Sequence, residues 1–145
     1  MTLFAKSFEE LTNKQLYEII KSRSEIFLLE QNIVCQDLDD VDYLARHCFY
    51  EKDGRVIAYL RAYYEGDGTV KIGRVLTLEH GKGIGSSLMK ASIADIKKTM
   101  PCDKIVVNAQ KQAEGFYSFL GFVTVSDEFL EEGVVHIRME LDIND

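Results

Sequence analysis

Cysteine and proline are scarce in this chain, positive charge is in deficit, and no apolar run approaches the length of a membrane span. Cys35, Cys48 and Cys102 are odd in number and far apart, with no CxxC and no nearby pair of histidines, so neither a disulfide framework nor a metal site is expected. They read as reduced thiols of a cytoplasmic protein. The single proline, Pro101, marks the end of a helix. Lysine and arginine number 17 against 24 acidic residues, a net charge of −7 that argues against nucleic acid as a partner. The opening MTLFAKSFEEL has neither a basic nor an apolar targeting region, so no signal peptide and no membrane partner are expected. What remains is ordinary globular composition: 145 residues, 46% of them hydrophobic, read as one domain over 1–145 able to bury a core without staples.

One stretch organises the rest: VKIGRVLTLEHGKGIGSSLM, Val70 to Met89. Val70, Ile72, Leu76 and Leu78 recur at period two and predict a strand with one apolar face, with Val75 on the other. Arg74 interrupts that face and suggests a bulge or an exposed strand end. Gly81, Gly83 and Gly85 then allow a tight turn, and Ile84, Leu88, Ala91 and Ile96 resume at helical spacing. A strand, a glycine loop and a helix start together present free N–H groups and roughly half a positive charge to an anion, phosphate by default. A Walker loop is excluded because no hydroxyl residue follows Lys82. A dinucleotide fingerprint lacks its third glycine at the right spacing, and a plain glycine-rich turn stays open on this motif alone.

Along the chain, Leu3 to Phe8 can form a strand, and Thr12 with Gln15 has capping-box spacing. Leu16, Ile19, Ile20, Ile26 and Phe27 form a helical stripe running to about Glu30. Arg23 lies on that stripe, either as a rim residue or as a contact to substrate or to an acidic loop. Asp37, Asp39, Asp40 and Asp42 fail the calcium-loop pattern, because the sixth position is Asp42 and the twelfth is Cys48. They read either as a solvated turn leading into a short helix through Tyr43, Leu44 and Arg46, or as an acidic lip attracting a cationic amine. Asp53-Gly54 joins two strands as a hairpin, and Glu65 to Gly68 turns into the strand at Val70. A short strand Ile105 to Val107, a helix Gln110 to Leu120 closed by Gly121, and strands at Phe122 to Val125 and Val134 to Leu141 complete the reading. The fold class is α/β in the α+β sense. A mixed sheet of six to seven strands and about four helices is expected, in the order β-α-α-β-β-β-α-β-α-β-β.

HGKGIGSSLM, the IVV strand and QKQAEGFYSFLGF together resemble the GNAT superfamily of N-acetyltransferases over nearly the whole chain. Gly83 and Gly85 match that family's pyrophosphate signature, while His80 stands where Arg or Gln is usual. Gln110 stands in place of a common Asn, ahead of Ala113, Tyr117, Gly121 and Phe122, which fit. RSEIFLLEQN, QDLDDVD, IGRV, NAQ and GVVHIRM further resemble the ElaA-like branch, with Val134-Val135 where Ile-Pro is usual.

The resemblance implies acetyl-coenzyme A as co-substrate, its pyrophosphate on His80, Gly81, Lys82, Gly83, Ile84, Gly85 and Ser86. Its pantetheine would follow Val75, Leu76 and Thr77, with Gln110, Ala113 and Phe116 also in contact. An amine, small molecule or peptide, would attack directly, and a backbone N–H near Val75 or Leu76 would serve the oxyanion. Tyr117 is implied as the general acid; a phenol near pKa ~10 and a thiol near ~8.5 make that donation modestly uphill. Glu30, Asp37, Glu79 and His136 are all chemically able to act as the base, with His136 and Glu30 preferred. Arg23, Asp37 and Asp39 are candidate acceptor contacts, and a homodimer is compatible with this reading. A non-catalytic acyl-coenzyme A module and a dinucleotide-binding enzyme are the alternatives.

Overall fold

The computed structural model describes residues 1–144, and its centre is one eight-stranded sheet. The strands are β1 (Phe4–Ser7), β2 (Arg46–Lys52), β3 (Arg55–Gly66), β4 (Thr69–Thr77), β5 (Lys104–Gln110), β6 (Val123–Thr124), β7 (Phe129–Glu131) and β8 (Val134–Asp142). The α-helices are α1 (Asn13–Arg23), α2 (Ile84–Thr99) and α3 (Glu114–Phe119). Sheet order is β1-β2-β3-β4-β5-β8-β6, with β7 also on β8, and only β4 and β5 run parallel.

Local chemistry sets these elements. The Thr12 side chain accepts from the Gln15 amide at 3.1 Å while Gln15 accepts from the Thr12 amide at 3.0 Å, a reciprocal cap that starts α1. Beyond Arg23 the helix widens into π geometry over Ser24–Glu30, a rare form that is frequent at functional sites. Asp53 and Gly54, at φ 53° and 78°, make the tight turn between β2 and β3.

Two cores follow from the alternation of the strands. Leu60, Ala62, Val70, Ile72, Ile105, Val107, Ile137 and Met139 meet Leu88, Met89 and Ile96 of α2 on one face. Phe49, Val56, Tyr59 and Leu76 meet Ile19 of α1 and Ile26 of the π segment on the other. Val70, Ile72 and Leu76 therefore do not share a face, as simple period two predicts. Opposite β3, Tyr59 and Arg61 face Leu76 and Gly73, so three steps along β4 match two along β3. The extra residue inverts the alternation, and Arg74 carries it at φ 54°.

Other expectations are corrected. The short helix at Tyr43 to Arg46 is a single 3-10 turn, Val41–Tyr43, because Arg46 already pairs with Ser7 and Ala62 in the sheet. The helix expected from Gln110 starts at Glu114, since Gln110 is the last residue of β5, opposite His136. Strand β7 was not expected; Glu132 and Gly133, at φ 50° and 74°, fold it back onto β8. The mixed α/β sheet is as expected, and its eight strands and three α-helices stand within one of the six to seven strands and about four helices read from the sequence. Among the described residues no helix is long and apolar enough to cross a membrane.

The β4–β5 pairing ends at Ile72 and Val107. Beyond it β4 continues to Thr77 on β3 alone and β5 to Gln110 on β8 alone, so the two strands part and a wedge opens. Seating α2 on the sheet beneath this wedge depends on Leu88, which is fully buried. Leu88→Ala should cost about 2–5 kcal/mol in urea unfolding with an unchanged slope. A loss below about 1 kcal/mol would contradict that packing.

Candidate active site

The wedge leads into a cavity of about 540 Å³ whose walls include Val75, Asn108, Gln110, Ala113, Tyr117 and His136. The glycine loop lies outside that wall, between β4 and α2. Gly81 and Gly83 have φ 75° and 74°, and a Cβ added to either would meet nothing within 4 Å. Conformation rather than crowding selects glycine there, and the loop faces open space. Gly83 is the N-cap of α2 and no side chain caps the helix, the first turn bonding back from Ser87 N–H to the Gly83 carbonyl at 3.1 Å. The amides of Ile84, Gly85 and Ser86 thus lack a capping partner, which fits a phosphate-bearing group. Gly85 differs: a Cβ there would lie 3.5 Å from the Phe116 ring and 3.6 Å from Thr77, so it lets α2 approach the sheet and α3 closely. Lys82 lies 3.3 Å from Glu79, and His80 Nε2 is 2.9 Å from Glu30 Oε1.

Deeper in, Tyr117 packs edge-on against Phe116 and Phe122, with ring centroids 5.1 and 5.7 Å away. It is 7% exposed, and its hydroxyl has no hydrogen-bond partner among the described residues. Burial pushes its pKa up, so the phenol stays protonated and is a donor. His136 Nδ1 lies 2.7 Å from the Val134 carbonyl, which assigns a proton to Nδ1. Glu131 Oε2 is 3.5 Å from that Nε2, and its Oε1 accepts from Asn108 Nδ2 at 3.1 Å. Gln110 donates to Gln31 at 2.9 Å.

The aspartates of QDLDDVD form a charge lattice with three arginines. Arg23, 1% exposed, donates from Nε to Asp37 at 2.9 Å and from Nη1 to Asp42 at 2.7 Å. Arg61 forks onto Asp39 at 2.8 and 2.7 Å and reaches Asp42 at 3.0 Å. Arg74 Nε is 2.8 Å from Asp37, and its Nη2 is 3.3 Å from Asp39. The hydrogen bonds from Arg61 hold the Asp39 carboxyl down to about 2, against its partial burial. Burial alone would raise Asp42, but Arg23 and Arg61 outweigh it and keep its pKa low.

Arg23 makes the contact to the acidic loop that is one of its readings, and is neither a rim residue nor a cavity wall. Three other expectations are corrected. Asp37 and Asp39 line the cavity, but three arginines balance three aspartates, so they give no net acidic lip. Glu30 is committed to His80 outside the cavity wall. Leu76 turns its side chain into the α1 core and leaves only backbone to the wedge. Asn108 and Glu131 were missed; Asn108 and Gln110, two apart on a strand, share the face of His136, which was the available signal.

The sheet thus splits beside its one parallel pair, and an uncapped helix follows the glycine loop after β4. The family model of the acetyltransferase (GNAT) domain matches residues 36–143, and the chain belongs to this family. It is 31% identical to Escherichia coli ElaA over 140 residues, 92% of each chain. The crystal structure of Escherichia coli ElaA superposes with a TM-score of 0.90, covering 97% of this chain and 99% of that one at 29% identity. An acyl-CoA N-acyltransferase from Pseudomonas aeruginosa gives 0.89 with the same coverages at 30% identity. A GNAT family acetyltransferase from Elizabethkingia anophelis with acetyl-CoA bound shares the fold at 0.64 and 15% identity, covering 98% and 97%.

The lattice gives a pH signature. Asp39 is lowered from 3.8 to about 2, so its contribution is complete above pH 3.8 and is lost as pH falls through about 2. The stability difference between wild type and Asp39→Asn in urea unfolding should be constant at neutral pH and shrink across that acid window. A difference independent of pH down to 2 would contradict the pairing.

Proposed function

We propose that the chain transfers an acetyl group from acetyl-coenzyme A to a primary amine in one direct step. The observation that carries this is an unpartnered, mostly buried phenol at Tyr117 on the cavity that opens where β4 is unpaired beyond Ile72, together with uncapped amides at Ile84 to Ser86 at the start of the helix that follows β4. Family membership supports it, as does the acetyl-CoA bound by the Elizabethkingia anophelis relative.

Acetyl-coenzyme A would supply the acetyl group and a thiolate leaving group. The residues divide the remaining work. Amides of Gly81 to Ser86 hold the pyrophosphate, and the β4 edge at Val75 to Thr77 holds the pantetheine arm. An N–H near Val75 or Leu76 stabilises the oxyanion. His136 Nε2 accepts the proton that the attacking amine loses, its ring oriented by the Val134 carbonyl. Tyr117 Oη hydrogen-bonds the departing sulfur and returns a proton to it. The reference gap of about 1.5 pKa units already costs about 2 kcal/mol, and burial widens it, so the hydrogen bond carries much of the effect. Arg23, Asp37 and Asp39 are left out of acceptor recognition in this scheme, and the acceptor is a small molecule or a peptide that enters beside Asn108 and Glu131.

A dinucleotide enzyme is disfavoured by the sheet, which has one parallel pair and no second strand–helix–strand half. Acetyl-coenzyme A at a hundred times its dissociation constant should raise the melting midpoint by roughly 5–15 °C, and NADH at equal concentration should not. The reverse pattern would overturn the assignment. Tyr117→Phe should lower kcat ten-fold or more at nearly unchanged acetyl-coenzyme A affinity. An unaltered rate, with chemistry limiting, would remove Tyr117 from the mechanism and leave a binding module as the better description.

A further inference from the structure

Five non-glycine residues among those described have positive φ, and Arg74 alone lies inside a strand. Arginine is a poor choice there, because its Cβ crowds the backbone where glycine would not. Its guanidinium, however, is tethered. Besides the ion pairs to Asp37 and Asp39, Nη2 donates to the Asp37 backbone carbonyl at 3.1 Å.

Behind those aspartates stand Arg23 and Arg61, whose side chains are 1% and 3% exposed and are joined through Asp42. Arg23 and Arg61 belong to α1 and β3, both packed into the core, so the tether is anchored to rigid elements. The loop that carries Asp37 and Asp39 is thus fastened to the core on one side and grips the β4 bulge on the other.

We propose that Asp37 and Asp39 are positioning residues that act through Arg74. They hold the bulge so that an N–H of Val75 or Leu76 points into the wedge, where the thioester oxygen gains charge. This rests on the acyl-transfer reading above. Donors of this kind act only when fixed in place beforehand, so slackening the bulge lowers the rate without loosening the distant glycine loop.

The test compares wild type, the Asp37→Asn/Asp39→Asn double variant and Arg74→Gly, using ligand-free amide hydrogen exchange and the infrared carbonyl band of bound ¹³C-acetyl-coenzyme A. In both variants exchange at 73–77 should rise ten-fold or more while α2 and β8 stay unchanged, and the carbonyl band should move back toward its position in water. The transfer rate should fall ten-fold or more at unchanged acetyl-coenzyme A affinity. Arg74→Gly is the sharpest arm, because glycine accepts the positive φ but has no tether. Wild-type exchange and carbonyl band in Arg74→Gly would overturn the proposal. So would exchange raised throughout the chain, which would mark a global stabilising role, or a raised acceptor KM with all else unchanged. If wild type binds no acetyl-coenzyme A, the acyl-transfer reading fails, and the exchange comparison still decides the tether.

Discussion

The parallel ladder between β4 and β5 lasts four residue pairs, Thr69 to Ile72 against Lys104 to Val107, and then stops. A sheet that lets two interior strands part exposes backbone donors and acceptors that would otherwise be paired, at a cost in stability unless something else uses them. The bulge at Arg74 produces the divergence locally, since an inserted residue bends its strand and increases its twist. The same insertion sends Leu76 into the α1 core while Val75 packs toward the α2 core. One residue therefore links the two layers of packing to the opening between the strands.

Electrostatics around the cavity is arranged for order. Taking charges out of water is expensive, and the lattice of three arginines and three aspartates offsets this only in part, since Asp42 Oδ2, Arg61 Nε and Arg74 Nε have no hydrogen-bond partner among the described residues. Such a lattice contributes little net stability compared with apolar packing, but it tolerates few geometries. Here it fixes a loop otherwise free of regular structure between the π segment and the turn at Val41. The net charge of −7 is thus a poor guide to the field inside the wedge.

Much of the fold was legible because it is local. The Thr12 cap, the Asp53-Gly54 turn and the glycine loop are short-range patterns with short-range causes. The bulge at Arg74 was legible as an interruption, but its effect on facing was not, because only the register against Tyr59 and Arg61 shows where alternation inverts. Strand β7 escaped because three residues exist as a strand only through their pairing with β8. At the site, the glycine loop was legible as a local pattern and the role of Tyr117 came from the family resemblance; Tyr117 lies on the cavity wall and the loop glycines do not. The partners of Arg23, Arg61 and Arg74 lie 14 to 37 residues away in sequence, so a run of aspartates reads as solvated or acidic until folding brings the arginines in.

The hydrogen bond from Gln110 to Gln31 joins the end of β5 to the end of the π segment, which rides over β3 and β4. It therefore spans the gap between the parted strands with one neutral, exposed contact. A contact of that kind is worth about 0.5–1.5 kcal/mol. In population terms that favours the contact over its absence by a factor of roughly two to thirteen. The bridge across the parted strands is thus one that an entering ligand can break at small cost.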